Sequence, residues 1–173
     1  MNPQKLSQHL FNGFDRIYAV LDGASVPDLP TKLHQLRPEH VCLYRGELKP
    51  DIAEVAPYLI RMVAGTEFSN WVLTEGWGNH WGIFAQSRYS LAEVRKHLRG
   101  FLTVHDETGK PMLFRYYDPR VLRNFLPTCT DKELKEFFGV VLNFAFEDEN
   151  PQTMLRCFFP NGELKINRFE INR

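Results

Sequence analysis

Few of the features that usually announce a function are present in this sequence. It has no charge excess, with 21 Lys and Arg against 21 Asp and Glu in 173 residues. That balance excludes a nucleic-acid binder working through a global basic field, and mixed charge with abundant aromatics excludes a disordered chain. Cysteine is scarce: Cys42, Cys129 and Cys157 are odd in number, far apart and without a C-x-x-C. They fit neither a disulfide framework nor a zinc site, and a reducing cytoplasm is the simplest setting. Nowhere do about 18 apolar residues run together, and the stretch from Met1 to His9 holds no uninterrupted apolar segment, so neither a membrane span nor a signal peptide is expected. The patterns G-x-S-x-G, G-x-x-x-x-G-K-[ST], H-E-x-x-H and G-x-G-x-x-G are all missing. The six histidines never form an i,i+4 helical pair, so no metal site or cofactor is predicted.

What remains is a chain 43% hydrophobic, long enough to bury roughly 70% of its unfolded surface as a single domain over residues 1–173. The apolar runs Arg16 to Leu21 and Val41 to Tyr44 read as buried strands, and Leu29, Leu33 and Leu36 between them repeat at helical spacing. Lys5 to Phe11 reads as a short helix. Asp51 to Met62 reads as another, kinked or begun by Pro57, and Phe68 to Leu73 as a further helical patch. Trp81 to Ala85 reads as a strand approached closely by a second backbone at Gly82. Ser90 with Glu93, and Thr130 with Glu133, form capping boxes for two amphipathic helices ended by Gly100 and Gly139. Phe101 to His105 and Met112 to Tyr117 pair as a hairpin, Asp118-Pro119 opens a helix, and Val140 to Phe146 is a strand. A terminal hairpin turns at Asn161-Gly162. The predicted class is mixed α/β, with a mixed sheet, flanking helices and a C-terminal hairpin.

Two segments carry the candidate chemistry. His97-Leu98-Arg99-Gly100-Phe101 closes the first capped helix, where cations suit the negative end of the helix dipole. Phe114-Arg115-Tyr116-Tyr117-Asp118-Pro119-Arg120-Val121-Leu122 passes from strand to helix, and strand alternation would set Arg115 and Tyr117 on one face, with Phe114 and Tyr116 on the other. Such a junction can bind a ligand or be a structural corner, with Asp118 as N-cap paired to Arg99, Arg115 or Arg120. Trp71, Trp77 and Trp81 read as core and turn packing or as an exposed aromatic patch. Charge is distributed unevenly: Arg88 to Arg123 holds eight basic and four acidic residues, and Asp131 to Glu149 six acidic and two basic. That polarity suits a protein partner, and it equally suits plain solvated helix faces.

At these residues the sequence resembles a known family. Trp81-Gly82-Ile83-Phe84, Ser87, His97-Leu98-Arg99-Gly100-Phe101, Leu113 to Leu122 and Leu126-Pro127-Thr128-Cys129, with Tyr18 to Ala24 and Ala56-Pro57-Tyr58-Leu59 upstream, are similar to the effector-chaperone or adaptor family of bacterial type VI secretion. That family is catalogued as domain of unknown function 4123. The resemblance covers about residues 17–139, leaving 140–173 as a short C-terminal extension where many relatives run longer.

It implies a non-catalytic adaptor in a Gram-negative cytoplasm, which binds a cognate toxic effector, stabilises it and helps load it onto the VgrG spike, without nucleic acid or membrane insertion. On that reading Arg99, Arg115, Asp118, Arg120 and Arg123 would supply charge-assisted hydrogen bonds to a partner, with Trp77 and Trp81 as aromatic anchors. His97, Leu98, Phe101, Phe114, Tyr117 and Pro119 would be signature residues that hold the fold. Two readings from other classes stand beside it. One is a small hydrolase or transferase with His97, Asp118 and an arginine around one cleft; the other is a nucleic-acid module on the basic stretch Arg88 to Arg123.

Overall fold

A computed structural model describes residues 2–13 and 15–171. Its central strand, β1 (Arg16–Asp22), lies between helices α1 (Pro3–Leu10) and α2 (Leu29–Leu36) in the chain, and every residue after Arg16 is buried. That burial on both faces is why Ile17 to Leu21 reads as a continuous apolar run with no alternation. Strand β2 (His40–Cys42), helix α3 (Pro50–Val55) and strand β3 (Pro57–Met62) follow. Helix α4 (Glu67–Trp71) runs on through a π turn at Val72–Gly76 into strand β4 (Gly82–Ser87). Helix α5 (Leu91–Arg99) leads to a small hairpin, β5 (Thr103–His105) and β6 (Pro111–Leu113). Helices α6 (Pro119–Phe125) and α7 (Asp131–Phe138) precede the last strands, β7 (Asn143–Glu147), β8 (Thr153–Phe158) and β9 (Lys165–Glu170).

Seven strands form one sheet in the order β2-β3-β1-β4-β7-β8-β9. The mixed α/β class holds, but every pairing along this sheet is antiparallel, where a mixed sheet was expected. The early strand-helix-strand pattern does not produce a parallel pair because β3 inserts between β1 and β2. Side chains alternate to two cores. Tyr18, Val20, Ile83, Ala85, Phe144 and Phe146 meet α5, α6 and α7 through Val94, Leu98, Leu122, Leu134 and Phe137. On the opposite face Ile17, Ala19, Leu21, Phe84 and Met154 meet Leu6 and Leu10 of α1, Leu29 and Leu33 of α2, and Phe68, Val72, Trp77 and Trp81. Arg156 of β8 ties α1 down by donating to the His9 carbonyl.

Three expectations are corrected by the coordinates. Residues 51–62 are not one helix, since only Pro50–Val55 is helical and Pro57–Met62 is an interior strand. The residue before a proline is pushed to extended backbone, and Ala56 sits at φ −70°, ψ 152°. Ile52 and Val55, whose spacing with Leu59 and Ile60 suggests one buried helical face, are 41% and 46% exposed. The central hairpin exists, but its two strands form a separate two-stranded sheet with every residue exposed, and extended structure stops at Leu113. Strand alternation therefore does not govern residues 114–117, and Tyr116 and Tyr117 are both buried at a turn. Finally, β2 is a short edge strand, only partly buried.

Other local readings match. Both capping boxes form, with reciprocal hydrogen bonds between Ser90 and Glu93 and between Thr130 and Glu133. A Cβ on Gly82 would lie 2.0 Å from the Val20 carbonyl oxygen, the close backbone approach inferred from sequence. Asn161 and Gly162 both take positive φ, 57° and 83°, within the β8–β9 connection.

Candidate functional site

Just past the end of β1, Gly23 passes close to the junction of α3 and β3: a Cβ there would come within 2.5 Å of the Glu54 and Ala56 carbonyls. This close passage turns the chain and leaves the Asp22 carboxylate at the sheet end, where it accepts from Ala24 N at 3.1 Å and Ser25 Oγ at 3.0 Å. The segment Phe114 to Pro119 crosses the same end. Arg115 Nη2 donates to Asp22 Oδ2 and lies 3.9 Å from Asp118 Oδ2. Asp118 caps α6 by accepting from Arg120 N at 3.0 Å, and also accepts from Arg120 Nε at 3.0 Å and Nη2 at 2.7 Å. The result is an alternating chain, Asp22, Arg115, Asp118, Arg120, joining the two similar stretches of sequence nearly a hundred residues apart.

Burial in this chain is unequal. The carboxylates of Asp22 and Asp118 are 3% and 7% exposed, whereas the Arg115 and Arg120 side chains are 42% and 54% exposed. Acids lie inside and guanidiniums form the outer rim, with donors left to face a carboxylate or carbonyl of another molecule. Burial pushes the Asp118 carboxyl up, but the hydrogen bonds from Arg120 and the charges of Arg120 and Arg115 outweigh it and hold the group below its ordinary value. Burial likewise opposes the Arg115 charge, and Asp22 more than compensates, leaving Arg115 above its ordinary value. Tyr117, beside this cluster, is pushed well above the usual phenol range by burial. A buried phenol held protonated is a packing group and not a base at neutral pH.

The other sequence-selected residues do different work. Arg99 is not a partner of Asp118: its guanidinium donates to the carbonyls of Cys42, Leu43 and Tyr44 at 3.3, 2.8 and 2.9 Å, and Arg95 adds a bond to Cys42 O at 3.1 Å. These arginines satisfy carbonyls at the end of edge strand β2 and beyond. His97 Nε2 lies 2.9 Å from the Phe137 carbonyl and its ring packs edge-on to Phe101 at 5.2 Å, so it joins α5 to the end of α7. The pocket beside His97, lined by Tyr89, Lys96, Phe101 and Val140 among others, does not include Asp118, so the single cleft of the hydrolase reading is not formed there. Leu98 is fully buried, Phe114 packs on Phe125 at 4.6 Å, and Pro119 is buried at the first turn of α6.

Arg123 reaches Asp148 at 3.9 Å and Glu149 at 3.4 Å, linking the basic stretch to the acidic one. Trp77 and Trp81 are 7% and 8% exposed and belong to the core, so the exposed aromatic patch is not present; Trp77 Nε1 donates to Pro151 O at 2.6 Å and Trp81 packs on Trp71.

Two participants were missed from sequence. Asp22 is one, and the only local signal for it is an Asp before Gly at the end of an apolar run. Glu147, 3% exposed, accepts from the backbone of Gly78 and His80 and from His80 Nδ1, fixing the Trp77 to His80 turn. Nothing local marks it, because its partners lie about seventy residues upstream.

A model of the family described as "Domain of unknown function (DUF4123)" matches residues 17–136, well over half of the chain. The ionic chain and the His97 to Phe101 segment fall inside this match. No curated protein and no solved structure matches.

Proposed function

The chain belongs to the DUF4123 family, which is associated with adaptors of type VI secretion effectors, and from that premise we propose that it is itself a non-catalytic adaptor. It binds one cognate effector in the producing cell's cytoplasm, keeps it stable and helps load it onto VgrG. The observation that carries this reading is the family match over residues 17–136, which takes in both signature segments in order. The geometry is compatible. The ionisable members of the signature are engaged in holding α5, α6 and the sheet together, and the Arg115 and Arg120 side chains, 42% and 54% exposed, face outward. No helix among the described residues is long and apolar enough to cross a membrane.

The test is recovery of a toxin and VgrG with this protein from its native cell under conditions in which type VI secretion is active. Reproducible absence of both from a stably expressed bait overturns the reading. Arg115→Ala and Asp118→Ala then locate the contact. Loss of effector with unchanged circular dichroism places the guanidinium rim in the interface, and loss of folding in both assigns the cluster to structure alone.

A further inference from the structure

A groove lies away from the ionic chain. It has a volume of about 620 Å³ and runs between the end of α7, the loop that follows it, and the β8–β9 hairpin. Phe138 and Val141 form its buried floor, 5% and 4% exposed, and Leu142, Phe158 and Phe159 form apolar walls. The rings of Phe138 and Phe159, both lining the groove, stack at 5.9 Å with an interplanar angle of 24°. Leu142 is 39% exposed, although it directly precedes the fully buried strand β7. The volume falls in the range of clefts that take a peptide side chain or small ligand.

Charge at the groove is one-sided. Lys135 and Lys165 line it, and no Asp or Glu does. Among the described residues Lys165 has a long contact, 4.0 Å, to Glu163, and both side chains are largely exposed, so the pair leaves the ammonium available. The groove is built almost wholly from residues beyond the family match, which ends at 136. A surface outside the shared segment can differ from one relative to the next and so suits a partner particular to this chain.

We propose that this groove binds an acidic peptide segment of the partner protein, seating one or two large apolar side chains between Phe138, Leu142 and Phe159 while carboxylates on either side pair with Lys135 and Lys165. The proposal rests on the adaptor reading for the identity of that partner, and its chemistry stands on the groove alone. Apolar anchors supply the affinity, and the lysines select the sign of the flanking charge.

The full chain is titrated with labelled short synthetic peptides of three kinds, followed by fluorescence anisotropy. One has Phe and Leu flanked by Asp and Glu, the second has Lys in place of each acid, and the third has Ser in place of the apolar residues. The first is expected to bind at least about tenfold tighter than either twin. Lys135→Glu with Lys165→Glu is expected to weaken it about tenfold and to favour the basic twin, and Leu142→Asp to abolish both, with unfolding midpoints unchanged. Equal binding of the three peptides overturns the proposal, as does an unaffected double variant. Competition by decanoate as strong as by the peptide assigns the groove to a small amphiphile, and a wild-type dimer in sedimentation that Leu142→Asp dissolves assigns it to a second copy; either result overturns the proposal. If the effector co-purifies equally with wild type and the double variant, the groove is wrong and the adaptor reading stands. Selective peptide binding without any effector in the wild-type pull-down has the opposite meaning: the groove chemistry stands and the adaptor reading falls.

Discussion

Substitution of Asp118 separates the two things its carboxylate does. As N-cap of α6 it accepts from Arg120 N, and replacing an Asp cap by Ala costs about 1 kcal/mol. Its two bonds to the Arg120 guanidinium form a well-aligned pair, but that arginine is 54% exposed, so the pair contributes about 0.5–1 kcal/mol. Arg115, at 3.9 Å, adds little and keeps Asp22 as its main partner. Asp118→Ala should therefore lose about 2 kcal/mol, a fall in Tm of about 4–8 °C for a chain of this length. Asp118→Asn retains a capping oxygen and loses only the ionic part, so it should fall roughly midway. Urea unfolding followed by tryptophan fluorescence measures both, since Trp77 and Trp81 are buried.

The pH dependence supplies the sign. The folded carboxyl lies below its ordinary value, so its charge stabilises the fold above the unfolded pKa of about 4 and ceases to do so as pH falls through the lower folded value. The gap between wild type and Asp118→Asn should hold at neutral pH and close in that acidic window. An Asp118→Ala protein within about 0.5 kcal/mol of wild type refutes the reasoning. A gap to Asp118→Asn that persists in acid refutes the ionic part alone.

Other outcomes follow from particular contacts. Gly82→Ala sets a Cβ against the Val20 carbonyl of the central strand and should cost about 3 kcal/mol or more, read from the urea midpoint, because the contacts are backbone of buried β1, which cannot swing aside as a side chain can. Gly139→Ala is strained by its φ of 44° and would bring a Cβ within 2.3 Å of the His97 ring; combining it with His97→Ala should recover about 1 kcal/mol of the loss in a double-mutant cycle, whereas additive effects would show that the ring simply moves aside. Burial pushes the thiols of Cys157 up to about 12 and Cys129 up to about 11, so a disulfide reagent at pH 8 should label native Cys157 slowest and all three cysteines rapidly in urea. Fast native labelling of Cys157 would contradict its place in the core.

Local grammar was legible where a few neighbouring residues decide the outcome. The Ser90–Glu93 and Thr130–Glu133 boxes, the Asp118-Pro119 helix start and the close approach at Gly82 all belong to this kind. Pro57–Met62 was misread because Ile52, Val55, Leu59 and Ile60 satisfy a helical period. Distant pairing with β1 and β2 makes the second half a strand, and Pro57 is the boundary and not a kink. The signature was legible as a pattern but not as an object. Arg115 and Asp118 were both selected, yet the pairing of Arg115 with Asp22, 93 residues away at the end of β1, is set by topology: the Asp-Gly step marks a turn and not a partner. Arg99 and His97 looked like surface cations at a helix end, and they turn out to satisfy carbonyls of β2 and α7, demands that exist only once those elements are packed against α5.

The charge polarity of the chain has a consequence for how any partner must be recognised. A basic stretch followed by an acidic one could have formed two opposed faces, but several of these charges meet within the molecule. Arg123 pairs with Asp148 and Glu149, Arg168 also reaches Asp148, and Arg88 pairs with Asp15. Of the acidic stretch, Glu133 closes a capping box and Glu147 is buried against a turn. Arg95 and Arg99 of the basic stretch are directed at backbone carbonyls. With zero net charge there is no global field to draw in a partner, and exposed charges separated by more than a Debye length of about 8 Å are screened, so selectivity depends on local groups. Discrimination rests on the guanidinium rim and the apolar groove beside Lys135: exposed cations of this kind act mainly on the association rate, so Lys135→Glu with Lys165→Glu should slow association with an acidic peptide and flatten its salt dependence, while the apolar contacts set the dissociation rate.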